Sequence, residues 1–526
     1  MPQPDPTNAM TRLQWLVVGV AGLAYLAWCG HYVARTSFVV DGQRVFCLWD
    51  DGMISMQYAR NLARGHGLVW NAGEAPVQGF TNLGVTLVMA LAHLLPLPPA
   101  RMALAVQALN LGALAAIAAL TFALARTLCP ASPRVAVAAT LGTLVCAPLG
   151  IWSLQGSDAG FVCLWLLATM LVAARRDAAG RAWPPGLFAL LGLGLVLRTD
   201  AVVLVVVLCA GGLRTTRTRA RRFSTCAAVV TLVTAALVVH SQLVYGDPLP
   251  NTYYLKATGS PRGLVLRSGL AQLLQWLPGL VPALVLAGLA THRHRGRPWV
   301  VTAAGLVIVL LGYCVWVGGD WAPEYGNRMF VPCLPLVAIL AAMGLEPLVD
   351  RALVDWTARA RGWGLSAAAV VVGMLANPWT ASGEWWSVDT PTMFHEYNAR
   401  NYTRAAYVAD VTDRDTVLGV YWAGTVVYFA ERPAVDLLGK SDRHIAKLEV
   451  PRFSPGHSKW DWDYVLHTRR PDVLFMTRRG LAQHPDFARL YVEIWRGEAR
   501  VLFLRRAARS KLHDEAARAR DFVPER

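Results

Sequence analysis

Apolar runs long enough to cross a bilayer alternate with short Arg-rich clusters over the first 378 residues. About 20 apolar residues span a hydrocarbon core as a helix, and positive clusters in short loops stay on the cytoplasmic side. With the amino terminus and all the clusters inside, this pattern predicts about eleven transmembrane helices. They are placed at 13–34, 101–125, 135–152, 159–174, 184–197, 201–213, 223–244, 271–291, 298–317, 329–347 and 362–378.

Two apolar segments depart from this simple pattern. Leu83 to Leu97, counted as a crossing, would put Arg126 to Arg134 on the wrong face, so we predict a re-entrant or interfacial helix there. The fifth and sixth crossings are short and are separated by Arg198-Thr199-Asp200. Charges inside one long apolar helix would be costly, so we expect two short helices beside a wet cavity.

Beyond residue 378 the pattern becomes that of a soluble α/β domain. Thr416 to Val420 and Ala434 to Leu437 predict strands that flank a helix at Trp422 to Ala430, and Asp472 to Met476 predicts another strand. The predicted domains are therefore 1–378, with a first outer loop at 35–100, then 379–504, and a charged tail at 505–526 that is a surface helix or disordered.

Composition supports an α-helical polytopic membrane protein with a small C-terminal α/β domain. Apolar residues make up 55% and charged residues 16% of the chain, and the mean hydropathy is +0.37. The net charge of +16 falls largely in the loop clusters, so it reports topology and predicts no nucleic-acid partner. Eight of the nine cysteines lie in or beside apolar runs, so we expect no disulfide framework.

The first outer loop carries adjacent acids, Asp50 and Asp51, directly before a predicted helix. A carboxylate pair at the edge of a bilayer suggests chemistry, although Asp51 could instead cap the helix. His66 and Glu74 follow in Gly-rich turns that could shape a pocket, and His66 could equally be structural.

Four further loops on the same predicted face carry polar residues. Asp158 could cap a helix or hold substrate or a cation, and Arg198 could bind phosphate or pair with Asp200. Tyr254 and Lys256 suit either a membrane-anchoring belt or a sugar phosphate. The remaining candidates are Asp320, Arg328 and, in the C-terminal domain, His457 with Lys459 and Asp461.

Together these motifs resemble the GT-C glycosyltransferases that use polyprenyl-phosphate sugars, including bacterial cell-wall arabinofuranosyltransferases. The likeness rests on Asp50-Asp51-Gly52, Arg60-Asn61-Leu62 and the Gly65 to Glu74 stretch. It extends to aminoarabinose transferases and protein O-mannosyltransferases, which have Glu where this chain has Gly52. Looser likeness covers Gly246 to Lys256, Gly318 to Trp321 and the Asp436 to Arg443 region.

The resemblance implies that Asp51, or else Asp50, is a general base, that Asp158 is a second acid and that Arg198 contacts the donor phosphate. A single sugar, a pentose such as arabinofuranose by the nearest likeness, would move from a polyprenyl phosphate to an acceptor hydroxyl with inversion. Lys256 and Arg328 would support the departing phosphate. The acceptor could be a glycan, a lipid or a protein, and the site would lie on the periplasmic face of a bacterial inner membrane.

Other functions remain open from the sequence. A lipid-linked glycan polymerase or ligase would share the outer loops, and a transporter of lipid-linked sugars would also present charges to a cavity. A non-catalytic scaffold would not need the acid pair. No cofactor is predicted with certainty, although a divalent cation could bind between Asp51 and Asp158.

Overall fold

The protein is described by a computed structural model over residues 12–215, 219–475, 480–497 and 500–513. Its chain divides into two compact units, each built from non-contiguous segments. Unit 1 contains the described residues of 1–34, 107–237 and 265–390. Unit 2 contains those of 35–106, 238–264 and 391–526.

Helices dominate the described chain. In order they are α1 (Arg12–Thr36), α2 (Asp50–Ala63), α3 (Leu83–Ala92), α4 (Pro99–Leu128), α5 (Pro133–Leu144), α6 (Ala147–Leu154), α7 (Ala159–Ala178), α8 (Pro185–Leu197), α9 (Val202–Leu213), α10 (Arg219–Tyr245), α11 (Asn251–Ala257), α12 (Arg262–Arg293), α13 (Pro298–Trp316), α14 (Leu334–Ala352), α15 (Ala358–Leu375), α16 (Trp379–Trp386), α17 (Met393–Val411), α18 (Thr425–Ala430), α19 (Arg443–Ala446) and α20 (Phe487–Leu490).

The predicted polytopic helical architecture is confirmed, since all eleven predicted crossings fall on apolar helices. Within the described residues, seven helices are long and apolar enough to cross a membrane, and nine are if each of two bent pairs counts as one span. The bent pairs are α5 with α6, at 55°, and α15 with α16, at 113°. The other two predicted crossings fall on the short apolar helices α8 and α9, which are not among these nine, and Arg198 lies between them as predicted.

Glycines allow close helix packing in unit 1. A side chain at Gly373 of α15 would place its Cβ 2.7 Å from the carbonyl oxygen of Gly142 in α5. Small residues at such crossings let helix backbones approach within van der Waals contact, which is how helices associate in an apolar environment.

Unit 2 contains a five-stranded sheet formed by β3 (Leu418–Val420), β4 (Ala434–Asp436), β5 (Val473–Phe475), β6 (Tyr491–Gly497) and β7 (Arg500–Arg505), after a hairpin of β1 (Phe38–Val40) and β2 (Gln43–Val45). The strand order is β4-β3-β5-β7-β6. Strand β3 pairs in parallel with β4 and β5, with Leu418 opposite both Ala434 and Val473, whereas β7 runs antiparallel to β5 and β6. The predicted strands are thus present, and the first two are shorter than predicted; Met476, the predicted end of the third, lies outside the described residues. Strands β6 and β7 were not predicted.

The first loop shares a hydrophobic core with this sheet. Ile54 and Tyr58 of α2, with Trp70, are buried in one cluster with Val420 and Val473. Each such side chain contributes roughly 1.5–3 kcal/mol when fully buried. The core therefore holds the start of α2 against the C-terminal α/β domain.

The predicted boundaries at residues 378 and 504 stay predictions. The compact units do not follow chain order, because unit 2 also takes in residues 35–106 and 238–264. Of the predicted tail, residues 506–511 form a 3₁₀-helix, and residues 514–526 lie outside the described chain.

Candidate active site

The two acids of the first loop open α2. The residue before the helix is Trp49, in an extended conformation, and Asp50 and Asp51 occupy the first turn. Negative charge is favourable there, because the first turn exposes unpaired backbone N–H groups. No side chain caps this helix, so the alternative that Asp51 acts as its capping residue is wrong.

Asp50 instead binds the start of a different helix. Its Oδ1 accepts hydrogen bonds from the backbone N–H groups of Gly424, at 3.2 Å, and Thr425, at 2.9 Å, where α18 begins. The side chain is buried, and this burial raises the pKa of Asp50 to about 6, although the charge of Lys440 opposes the rise. Asp50 therefore joins α2 to α18.

Asp51 forms an ion pair with Lys440. The Nζ atom of Lys440 donates to Oδ1 of Asp51 although the residues lie far apart in sequence. The Asp51 side chain is 28% exposed and that of Lys440 is 12% exposed. Burial alone would lower the pKa of Lys440, but the carboxylates of Asp51 and Asp50 raise it, so the lysine stays charged.

The loop that carries Lys440 is held rigidly. Buried Asp436 accepts from the backbone N–H groups of Leu438, at 2.9 Å, and Ser441, at 2.7 Å. The side-chain amide of Asn251 donates to the carbonyl oxygens of Gly439 and Lys440, at 2.8 and 3.0 Å. Two of the supporting motifs in the sequence, around Asn251 and Asp436, thus position Lys440. This lysine was missed as a candidate, although it lies inside a motif noted in the sequence.

The Arg60-Asn61 motif has a structural explanation. Arg60 is buried and donates to the carbonyl oxygen of Tyr428, at 2.6 Å, and to Glu431, at 2.9 Å. Asn61 donates to the carbonyl oxygen of Val69 at 2.8 Å, which closes the turn after α2. The motif fixes α2 rather than providing reactive groups.

A second polar cluster lies in unit 1 at the junction of α8 and α9. Arg198 donates through Nε and Nη2 to Asp200, at 2.5 and 2.9 Å, and through Nη1 to Asp158, at 3.0 Å. Tyr313 donates to Asp200 at 2.5 Å. The predicted Arg198–Asp200 ion pair is confirmed. Asp158 occupies the N-cap position of α7 as predicted, but its side chain makes no capping hydrogen bond there.

Arg328 and Asp320 pair with each other in the same unit. The guanidinium donates from Nε at 2.9 Å and from Nη2 at 3.0 Å, and Asp320 is buried. The guanidinium also lies 5.3 Å from the ring centre of Trp152. This arrangement closes the 320–328 loop on itself.

The other candidates lie in unit 2. His66 is exposed in its turn, and Glu74 accepts from Asn71 at 3.0 Å and pairs with Arg469 at 3.3 Å. The ring of Tyr254 lies 4.9 Å from Nζ of Lys447, and Lys256 is half-buried nearby on α11.

Two C-terminal candidates are buried. Nδ1 of His457 bonds to the carbonyl oxygen of Pro455 at 2.7 Å, which holds the ring in its own loop. Lys459 donates to the carbonyl oxygens of Tyr254 and Ala446, at 2.9 and 2.6 Å, and burial lowers its pKa to about 8. Asp461 contacts His444 at 2.8 Å.

The structure therefore brings the site residues together in two groups. Asp50 and Asp51 join Lys440 in unit 2, and Asp158, Arg198 and Asp200 join in unit 1. That all of them act on one substrate stays a prediction, as does a cation between Asp51 and Asp158. Among the described residues, one His- and Asp-containing group, Asp463 with His467 and His484, has ligand atoms within 4.8 Å of one another.

Comparisons with known proteins identify structures with a similar fold. A family model described as a domain of unknown function (DUF8728) matches residues 393–516. No curated protein sequence matches the chain. Crystal structures of ArnT from Cupriavidus metallidurans are similar, at 14% identity. The apo form has a TM-score of 0.58 over 93% of this chain and 97% of its own. The form bound to undecaprenyl phosphate has a TM-score of 0.56 over 94% and 98%.

The archaeal oligosaccharyltransferase AglB from Archaeoglobus fulgidus, in complex with an inhibitory peptide and a dolichol-phosphate, is also similar. It has 10% identity and a TM-score of 0.52 over 79% of this chain and 64% of its own. At these identities the likeness shows the fold alone. The chain has the GT-C fold that the sequence resemblance implied.

Proposed function

We propose that this protein is a membrane glycosyltransferase that moves one sugar from a polyprenyl phosphate to an acceptor hydroxyl. The observation that carries the proposal is the difference in burial and in contacts between the two first-loop acids. Asp50 is buried and bonded to the start of α18, whereas Asp51 is partly exposed and faces a lysine. Asp51 is therefore the acid that can reach a substrate.

In the proposed reaction, Asp51 accepts the proton of the acceptor hydroxyl as that oxygen attacks the anomeric carbon. The bond from the anomeric carbon to the phosphate oxygen breaks, and the electron pair leaves with the polyprenyl phosphate. A phosphate has a low pKa and departs without a protonating acid, so one carboxylate is sufficient. Attack from the face opposite the phosphate inverts the anomeric configuration.

Lys440 supports the base in this proposal. Its ammonium group donates a hydrogen bond to the carboxylate of Asp51 before substrate binds. A bound phosphate would compete for the same ammonium group, because charge-assisted hydrogen bonds to phosphate are strong. Attraction of Lys440 towards the phosphate would leave Asp51 able to take the acceptor proton.

Arg198 is the proposed donor-phosphate ligand of unit 1. Its guanidinium is already held by Asp158 and Asp200, which fixes its orientation. A planar donor oriented in advance stabilises developing charge without reorganisation during the reaction. The likeness to ArnT bound to undecaprenyl phosphate supports a polyprenyl donor. The pentose, the arabinofuranosyl specificity and the location in a bacterial inner membrane with the site on the periplasmic face belong to the same proposal.

A second candidate is transfer of a larger lipid-linked glycan. The similarity to an oligosaccharyltransferase in complex with an inhibitory peptide and a dolichol-phosphate favours it. A product that gains several sugars at once, measured by mass spectrometry, would favour this candidate over single-sugar transfer.

The proposal is tested by complementing a deletion strain and analysing surface glycans by mass spectrometry. Asp51→Asn should lower the rate of modification by about 10²–10⁴-fold, the contribution expected of a general base, and the modified fraction should fall with it. The matched control is Asp41→Asn, which removes an exposed acid from the same loop. The backbone φ of Asp41 is 49°. Full modification by the Asp51→Asn protein, present at the normal level, would refute the proposed role.

A further inference from the structure

A cavity of about 290 Å³ lies within unit 2, between the first loop and the Lys440 loop. The first loop contributes residues 70–77, and the C-terminal domain contributes residues between 441 and 469. The side chains that carry the argument are Trp70, Glu74, Asp442, Arg443, Tyr464 and Arg469. None of the predicted roles uses this cavity, apart from the general suggestion that Glu74 shapes a pocket.

We propose that this cavity binds a neutral saccharide segment of the acceptor, an inference that rests on the proposed glycosyl transfer. The volume is near the lower end for ligand sites, which run from about 300 to 1,000 Å³. It therefore suits a small polar group such as one or two sugar rings rather than a lipid chain.

The charges around the cavity favour a neutral ligand. Arg469 pairs with Glu74 at 3.3 Å, while Arg443 and Lys447 share Asp247, at 2.9 and 2.6 Å. Of the charged residues, Glu74, Asp442, Arg443 and Arg469 line the cavity itself, so two acids balance two arginines there. An anionic headgroup would need cations in excess, whereas the hydroxyl groups of a sugar can both donate to the acids and accept from the bases.

Two rigid aromatic groups line the same space. The indole of Trp70 is buried and donates to the carbonyl oxygen of Ala423 at 3.0 Å. The ring of Tyr464 stacks on His444 with the ring centres 4.1 Å apart, and its hydroxyl donates to Asp442 at 3.1 Å. The rings of Tyr464 and His444 thus lie fixed beside polar groups, which is typical of sites that orient a ligand at low entropic cost.

The cavity is also connected to the proposed base. Ser441 lines it, and the next residue back is Lys440, whose Cα lies about 3.8 Å away across one peptide unit. On the other side, Tyr58 of α2 donates to the carbonyl oxygen of Val77, another lining residue, at 2.6 Å. Helix α2 begins with Asp50 and Asp51, so a saccharide in the cavity lies beside the loop and helix that carry Lys440 and Asp51.

Binding by the detergent-solubilised full-length protein tests this inference. The probes are neutral and acidic oligosaccharides released by mild acid from the envelope of the source cells, with retention on immobilised protein measured by mass spectrometry. Ala75 lines the cavity and is exposed, so Ala75→Trp fills the space without disturbing the core. Ala482→Trp, at an exposed position that does not line the cavity, is the matched control.

The wild-type and Ala482→Trp proteins should retain the neutral fraction, and Ala75→Trp should retain it less by about tenfold, equivalent to 1.4 kcal/mol. Equal retention by Ala75→Trp, preference for the acidic fraction, or no retention by the wild type would each overturn the cavity assignment. Asp51→Asn should bind like the wild type and fail to transfer. Normal transfer by Asp51→Asn would overturn the proposed function, independently of the binding result.

Discussion

The two adjacent acids show how position alone separates roles within one dipeptide. Asp50 faces the start of α18 and is buried, whereas Asp51 faces Lys440 and retains contact with solvent. Sequence reasoning found the pair because carboxylates at a membrane edge are unusual. It could not separate them, since their partners, Gly424, Thr425 and Lys440, lie more than 370 residues away in the chain.

The raised pKa of Asp50 predicts a pH dependence of folding. Its pKa is about 6 in the folded protein against 3.8 ordinarily, because burial penalises the charged form. Between these values the folded state binds more protons than the unfolded chain, so this group makes the protein less stable as the pH rises from about 4 to 6. The total effect is at most about 3 kcal/mol, at 1.36 kcal/mol per pKa unit.

Asp50→Asn removes this titration while keeping a side-chain oxygen that accepts from Gly424 and Thr425. Thermal unfolding of the two proteins should therefore diverge in slope between about pH 4 and 6, with the wild type losing stability relative to the variant as the pH rises. Parallel curves across that range would contradict the assigned environment of Asp50.

At the scale of elements, the contact between α2 and α18 holds the helix that begins with Asp50 and Asp51 in place. Arg60 and Arg64 both pair with Glu431 at 2.9 Å, but the Arg60 side chain is 6% exposed and that of Arg64 is 48% exposed. Arg60 also donates to the carbonyl oxygen of Tyr428 and to Gln57. Arg60 and Arg64 therefore contact the same glutamate and differ in burial, so substitutions at the two positions can be compared directly.

Arg60→Ala should lower the free energy of unfolding by about 2–4 kcal/mol, because it leaves buried acceptors without a donor. Arg64→Ala should cost less than about 1 kcal/mol, as expected for an exposed ion pair. Chemical denaturation followed by the fluorescence of the C-terminal domain would measure both. Similar losses in the free energy of unfolding for the two variants would show that burial does not determine how much this contact stabilises the protein.

Apolar periodicity predicted most of the elements, but their ends and partners needed the fold. The helices at the eleven predicted crossings and the strands near 418, 434 and 473 follow from local patterns that a helix or strand must satisfy. Strands β6 and β7 were missed because their sequences, with Glu493 and Arg496 in β6, mix charge with apolar residues. The segment at 83–97 is a helix over Leu83–Ala92, and its re-entrant or interfacial placement stays a prediction.

Part of the site was also predictable from local sequence. Acids and arginines in loops can be read from the sequence, and Asp158, Arg198 and Asp200 do come together. Lys440 could not be assigned from spacing, because its role depends on the contacts of Asn251 and Asp436 with its loop. A lysine among surface residues gives no local signal of burial.

At the scale of the whole molecule, most of the apolar helices lie in unit 1, whereas Asp51, the proposed base, lies in unit 2. The apolar helices provide the environment that the polyprenyl chain of the proposed donor needs. That Asp51 and Arg198 serve the same donor stays a proposal, which kinetics can test.

The stereochemistry of transfer tests the central claim most directly. The full-length protein in liposomes is supplied with a ¹³C-labelled polyprenyl-phosphate sugar and its acceptor, and the anomeric carbon of the product is examined by NMR. We expect an inverted anomeric centre, with the rate lowered by about 10²–10⁴-fold in Asp51→Asn. Retention of configuration, or an unchanged rate in Asp51→Asn, would contradict direct displacement assisted by this single carboxylate.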